Sequence, residues 1–172
     1  CTYCIVPHVR GRFQSRRPEA IVDEVRALVD GGVVEVTLLG QNVNSYGTDL
    51  EGISFAGLLR SLSAVKGLRR LRFATNHPKD LTGEVIAAMA EESVVCPAVN
   101  LPIQSGSDRV LHLMNRGYDV AAYADRIGSL RAALPEVAVT SDLIVAFPGE
   151  TEEDFSLSME ALRRFRFDQV HS

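Results

Sequence analysis

The sequence predicts an α/β fold, a parallel sheet with helices outside, either open or closed as a (β/α) barrel. Three observations carry this expectation. Short β-branched or apolar runs alternate with segments of helical periodicity along the whole chain. The distinctive polar loops GQN, NHP, PIQSGS and FPGE each follow a strand run, which places them at strand C-termini, where both architectures keep their chemistry. No linker, repeat or low-complexity segment divides the 172 residues, and 46% apolar content suits one domain with a sizeable core.

The elements follow in order. Pro18 suits the first position of a helix, in which Ile21, Val22, Val25, Leu28 and Val29 recur at helical spacing until Gly31-Gly32. Residues 33–39 are β-branched, apolar and bounded by glycines, so they read as a buried strand, followed by the polar loop 40–47. Ser54 caps a short helix carrying Phe55, Leu58, Leu59 and Leu62, stopped near Gly67. A strand at 71–74 ends at Asn76-His77-Pro78, and Thr82 starts a helix with Val85, Ile86 and Met89 inward. A strand at 98–101 leads into the loop 102–107, then helical patterns cover 108–114 and 120–134. Residues 137–146 form the longest strand candidate, broken by Phe147-Pro148-Gly149-Glu150. Thr151 caps a helix whose Glu152, Glu153 and Asp154 suit its positive N-terminus, and a last strand starts at 167–170.

Composition narrows the function classes. No run of about 18 apolar residues offers a membrane-spanning helix. The start does not read as a signal peptide, and three cysteines do not make a secreted disulfide framework, so a reducing, cytoplasmic setting is expected. A net charge of −4 argues against a domain gripping nucleic acid through phosphate contacts alone. Arg10, Arg12, Arg16 and Arg17 form a local basic patch, readable as a phosphate-contacting surface or as a solvated loop.

The opening Cys1-Thr2-Tyr3-Cys4 pair is the strongest chemical feature. Cysteines at this spacing clamp a metal, hold an iron–sulfur cluster, or form a redox pair. For zinc, His8 and Cys96 are the residues available to complete a four-ligand set, although Cys96 precedes a predicted strand at the opposite end and reads as a packing residue. A thioredoxin-like pair opens a helix directly, whereas here Pro7 and a loop of about a dozen residues are expected to intervene.

The motifs CTYCIVPHVRGR, LLGQNVNSYG, LPIQSGSDRVLHLMNRGY and DLIVAFPGETEEDF, taken together, resemble the radical S-adenosylmethionine (SAM) methylthiotransferase family over essentially the whole chain. LLGQNVN is similar to the branch that modifies tRNA adenosines rather than the branch acting on a ribosomal protein. The resemblance implies a partial (β/α) barrel of the radical SAM type, truncated at both ends. The family signature C-x-x-x-C-x-x-C then places the first cysteine four residues before Cys1, with Cys1 and Cys4 as the other two ligands of a four-iron four-sulfur cluster. SAM would chelate the open iron and, on reduction, release a 5′-deoxyadenosyl radical. One SAM would supply the methyl and a second the radical that removes the C2 hydrogen, in an adenosine next to the tRNA anticodon.

The same resemblance implies site residues. Gly40, Gln41 and Asn42 correspond to a turn whose backbone meets the methionine end of SAM, with an ordinary strand-to-helix turn as the alternative. Gln104, Ser105 and Ser107 are polar groups suited to bond SAM or substrate, Ser107 serving equally well as a helix cap. Ile144 and Tyr3 would contact adenine, Ile144 otherwise being core. Arg10, Arg12 and His77 are candidates toward substrate, or plain loop residues. Two positions depart from the family: Asn100, where relatives often have His, and Ala146, where they usually have Gly and where a methyl would crowd the adenine pocket. The family also carries an N-terminal domain with a second four-iron four-sulfur cluster and a C-terminal RNA-binding β-domain, both expected outside these 172 residues. A full-length enzyme would take a tRNA anticodon stem-loop as substrate and a flavodoxin or ferredoxin as electron donor. A non-catalytic zinc-binding interaction domain remains the reading from a different class.

Overall fold

The computed structural model describes residues 2–11 and 13–172. Five short strands alternate with helices: α1 (Val6–Arg10), α2 (Pro18–Asp30), β1 (Glu35–Leu38), α3 (Phe55–Ser63), β2 (Arg70–Phe73), α4 (Gly83–Glu91), β3 (Ala98–Asn100), α5 (Asp108–Leu113), α6 (Val120–Ala133), β4 (Ala138–Asp142), α7 (Glu152–Phe165) and β5 (Gln169–His171). β1 pairs with β2, and β3, β4 and β5 pair in that order, all parallel. A parallel bridge from Leu71 to Val95 joins the two sheets, so the strands run side by side in chain order.

The helix starts follow from side-chain caps. Ser54 Oγ accepts from Gly57 N–H at 3.1 Å, Thr82 Oγ1 from Val85 at 3.3 Å, and Asp119 Oδ1 from Ala122 at 2.7 Å. Thr151 and Asp154 form a reciprocal capping box at α7. Behind the caps, one face of each strand packs on the helices. Leu71, Phe73, Val99 and Val139 are buried against Phe55, Leu59 and Leu62 of α3, Val85 and Met89 of α4, and Tyr123, Ile127 and Leu130 of α6. Each such side chain contributes roughly 1.5–3 kcal/mol by leaving water.

The other face of the sheet is polar. Glu35 on β1 pairs with Arg70 and, at 3.2 Å, with Arg72 on β2, and Asn100 Nδ2 donates to Thr140 Oγ1 at 3.2 Å between β3 and β4. Parallel sheets ordinarily bury both faces. Here α3 packs between α2 and α4, and α4 against α6, leaving the polar face open along its edge.

Several expectations change. The strand predicted over 137–146 stops at Asp142, beyond which only an isolated bridge joins Gln104 to Leu143. Pairing thins out rather than breaking at once: Leu143 N–H still reaches His171 O at 2.8 Å and Ile144 N–H reaches Gln104 O at 2.9 Å, while the left-handed φ of Gln104 (68°) and Ala146 (58°) takes those two positions out of extended geometry. Leu28, expected inward, is 41% exposed. The segment after Cys4 is not all loop, because α1 begins two residues later with proline in its first turn. A helix thus opens directly behind Cys4, and the spacing alone does not exclude a redox pair.

Candidate functional site

The loops that leave the strand C-termini meet at one edge of the sheet, and two different kinds of contact hold them. The first joins the turn after β1 to the turn after β2. Val43 N–H donates to Thr75 O at 3.0 Å, and the buried Asn44 amide clamps His77, donating to its carbonyl at 3.2 Å and accepting from its N–H at 3.0 Å. Asn42 Nδ2 donates to Asp80 Oδ2 at 2.6 Å and also to Ser45 Oγ, which itself donates to Asp80 at 2.9 Å. Asn42 Oδ1 is buried without a partner. Such an acceptor is costly unless something donates to it.

Gly40, Gln41 and Asn42 line a cleft of about 700 Å³ whose opposite wall includes Val6 and Arg10 of α1, Phe13 and Ile21. Gly40 does not have a positive φ, and a Cβ there would make ordinary contacts of 3.5–3.7 Å with Val43. The turn thus does not require glycine for its backbone.

The second kind joins the PIQSGS loop to α7. Ser105 is fully buried, its hydroxyl 3.3 Å from Ser158 Oγ and accepting from Ser107 N–H at 3.1 Å, so it faces the loop interior and not a cavity. Ser107 Oγ caps α5 through Val110 N–H at 3.4 Å and donates to Asp154 at 2.5 Å. Asp154 also pairs with Arg109, whose guanidinium donates to Gly149 O at 2.6 Å and so ties FPGE to the same post. These donors hold the Asp154 carboxyl well below the usual carboxylate range, Arg109 contributing most.

Gln104 is half-buried at a strained φ, its carbonyl accepting from Ile144 N–H at 2.9 Å, which brings a residue predicted to bond SAM or substrate beside one predicted to contact adenine. Asn100, besides Thr140, offers its carbonyl to Asn76 Nδ2 at 2.9 Å.

The cysteine loop docks on this same edge. Thr2 N–H and Oγ1 donate to Met114 O and Leu113 O, both at 3.1 Å, at the end of α5. The Tyr3 ring meets Phe147 of FPGE edge-on at 6.0 Å, and the Arg116 guanidinium is close enough to act on its phenol. Burial pushes the Tyr3 phenol up, opposed by that guanidinium. Arg116 is itself buried, with Nε donating to Tyr118 Oη at 3.0 Å, and Tyr118 bonds the carbonyls of Pro102 and Ile103. The His77 ring packs edge-on against Tyr118 at 5.6 Å. Burial, reinforced by Arg116, pushes His77 down to about 4, so it is neutral near pH 7.

Cys4 is half-buried on this loop, while Cys1 and Arg12 lie outside the described residues. Among the described residues no three Cys, His, Asp or Glu side chains form a metal-ligand group, and Cys96 sits at the far edge, its N–H on Leu71 O at 2.9 Å. His8 and Cys96 therefore do not join Cys4 in a zinc set. The donor chemistry that is present, a thiol at C-x-x-C spacing with a guanidinium against its loop, fits an anionic thiolate-bound cluster. Asn44, Asp80, Arg116 and Tyr118 were not singled out by sequence reasoning. Their only signal was membership of the NVNSYG, NHPKD and MNRGY runs.

Comparison with known proteins shows the family. The radical SAM superfamily pattern matches residues 1–162. The tRNA-2-methylthio-N(6)-dimethylallyladenosine synthase of Moorella thermoacetica is 55% identical over 171 residues, 99% of this chain and 38% of that protein. The protein of the same name from Oleidesulfovibrio alaskensis is 55% identical over 174 residues, covering 100% of this chain and 38% of the relative. The chain thus spans well under half the length of these curated relatives. Among solved structures, coproporphyrinogen III oxidase from Escherichia coli, described as a radical SAM enzyme, superposes with a TM-score of 0.62 at 15% identity, over 90% of this chain and 37% of that one, and shares the fold.

Proposed function

This chain belongs to the radical SAM superfamily, and from that premise we propose that it is the cofactor-bearing core of a longer tRNA methylthiotransferase. Such an enzyme adds a methylthio group to C2 of an N6-modified adenosine beside the anticodon. The observation that carries the reading is the match, at 55% identity across 99% of the chain, to a relative named for that product. The meeting of the cysteine loop, GQN, NHP and the QSGS and FPGE loops at one edge supports it.

In this reading the five strands are an arc of a (β/α) barrel whose first strand lies upstream. Cys1 and Cys4, with a third cysteine upstream, hold a four-iron four-sulfur cluster. When bound, the cluster supplies the electron and SAM the hydrogen-abstracting radical. This chain's own residues bind and orient. The Gly40-Gln41-Asn42 turn receives the methionine end of SAM, with Asn42 Oδ1 free to accept an N–H from the ligand. Tyr3, Gln104 and Ile144 lie along the adenine side, and Ser105 acts from behind by fixing the loop through Ser158. Neutral His77 and Arg10 act toward substrate, which must leave its stack to present C2, and Arg12, outside the described residues, is a sequence candidate for the same role. An N-terminal domain with a second cluster, a C-terminal RNA-binding β-domain, a flavodoxin or ferredoxin donor and a cytoplasmic setting complete the proposal.

Iron and sulfide analysis of the anaerobically reconstituted full-length protein, with SAM cleavage to 5′-deoxyadenosine, tests it. About four irons per core cluster and reductant-dependent cleavage are expected. Stoichiometric zinc without SAM cleavage would replace it with the interaction-domain reading.

A further inference from the structure

His77 is held from several sides and leaves one ring atom free. The buried Asn44 amide bonds both of its backbone groups, donating to the carbonyl at 3.2 Å and accepting the N–H at 3.0 Å, so the residue cannot slide along the edge. The ring is fixed separately. Its Nδ1 accepts from Lys79 N–H at 3.4 Å, and it packs edge-on against Tyr118 with centroids 5.6 Å apart and planes at 78°. Tyr118 is anchored in turn to the carbonyls of Pro102 and Ile103, at 3.1 and 3.0 Å. Burial and the Arg116 charge keep the imidazole neutral near pH 7, against the weaker pull of Asp80. These contacts settle the tautomer. A neutral imidazole carries one proton, and an Nδ1 that accepts cannot hold it, so Nε2 is the donor. That Nε2–H bonds nothing among the described residues, and unlike Asn42 Oδ1 and Asn76 Oδ1 it is not sealed from solvent. A rigid, uncharged donor suits an uncharged acceptor, whereas phosphates draw guanidinium and ammonium groups.

We propose that His77 reads the target base: held by Asn44 and Tyr118, its Nε2–H donates to one of the two ring nitrogens that flank the reacting C2, N1 or N3. The inference rests on the tRNA methylthiotransferase reading of the chain. Asn44 and Tyr118 are positioning residues that act through His77. The chemistry of the base narrows the acceptor. The N6 group keeps one hydrogen and is a donor there, so it cannot take this bond, and N7 lies on the far edge of the ring system. A bond to N1 or N3 fixes the atom next to C2 and so sets where C2 stands. Enzymes that act on an extruded base read it through such polar edges.

The test measures equilibrium binding of anticodon stem-loops to the full-length protein as wild type, His77→Phe, His77→Asn and Tyr118→Leu. The target N6-dimethylallyl adenosine is intact or has N1, N3 or N7 replaced by C–H. Wild type is expected to bind either the N1 or the N3 analogue about three- to tenfold more weakly, the worth of one net hydrogen bond, and the N7 analogue as well as the intact loop. Which of the two is penalised identifies the acceptor. His77→Phe should bind the intact loop weaker by a similar factor and no longer distinguish that analogue from it, because the two losses share one interaction. His77→Asn keeps an acceptor for Lys79 N–H but withdraws the outward donor, and it decides the matter if His77→Phe does not fold. Tyr118→Leu should narrow the discrimination, whereas a purely structural role would weaken all four loops alike. Equal binding of all four loops by wild type would overturn the inference, as would a penalty that persists undiminished in the His77 variants. A wild type that transfers no methylthio group to the intact loop would instead remove the reading beneath it.

Discussion

The two halves of the loop edge are built from similar polar residues and differ in how completely those residues are satisfied. On the α7 side, Ser105, Ser107, Asp154 and Ser158 are all buried and each has its oxygen engaged within the protein, Glu150 Oε1 at the rim of FPGE being the buried exception. On the β1–β2 side, Asn44 is similarly closed, but Asn42 keeps a buried amide oxygen unmatched beside a cleft. The first half is a frame, in which polar groups fix loop shape. The second is a mouth, in which a turn that does not need glycine for its backbone nevertheless has one, keeping that wall low. The lesson is that polar residues in a strand-end loop do not by themselves mark ligand contacts; the state of their hydrogen bonds does.

Substitutions that treat the halves alike should give opposite results. Gly106→Ala in the frame puts a Cβ 2.6 Å from Ser158 Cα and against the Leu157 carbonyl, a backbone collision that cannot relax cheaply. A loss of about 3 kcal/mol in chemical denaturation is expected. An effect below about 0.5 kcal/mol, the size of a neutral surface change, would mean the frame is plastic. Gly40→Val in the mouth should leave the melting temperature nearly unchanged while weakening SAM binding at least tenfold, about 1.4 kcal/mol. Unchanged affinity with a lowered melting temperature would make this turn structural too. Gln41→Ala, which leaves the glycine in place, is the control.

Smaller effects sharpen the picture. Ala146 sits at φ 58°, so Ala146→Gly should stabilise the fold by about 1 kcal/mol through relief of left-handed strain. The departure from the family is therefore a backbone matter first, where the sequence pointed to crowding of the adenine. A further change concerns pH. His77 is pushed down to about 4 from 6.5, so the unfolded chain takes up its proton first as pH falls. Its contribution is fully present above pH 6.5 and is lost between 6.5 and 4. His77→Gln should flatten the pH dependence of Tm across that window, and an identical slope would show that His77 is not held neutral.

Much of the fold was legible because local signals and tertiary demands agree. Ser54, Thr82 and Thr151 cap the helices they were expected to start, and the apolar spacing in α3, α4 and α6 became the core. The extent of β4 was overestimated because residues 143–146 are as apolar as a strand, and only the backbone at Gln104 and Ala146 reveals where extended geometry ends. Within the site, Cys4, Gly40 and Asn42 were singled out by their motifs, whereas Arg116 was only one position inside the longer LPIQSGSDRVLHLMNRGY run. Arg116 is buried against Tyr118, and burial of a cation is a property of packing that sequence patterns do not carry.

The most direct test of the central claim is mass analysis of adenosine in an anticodon stem-loop treated with the full-length, cluster-loaded protein, SAM and reductant. The account predicts addition of one methylthio group to an N6-dimethylallyl adenosine by wild type, and none by Cys4→Ala. Formation of 5′-deoxyadenosine with the stem-loop unmodified, or with a ribosomal protein modified in its place, would contradict it.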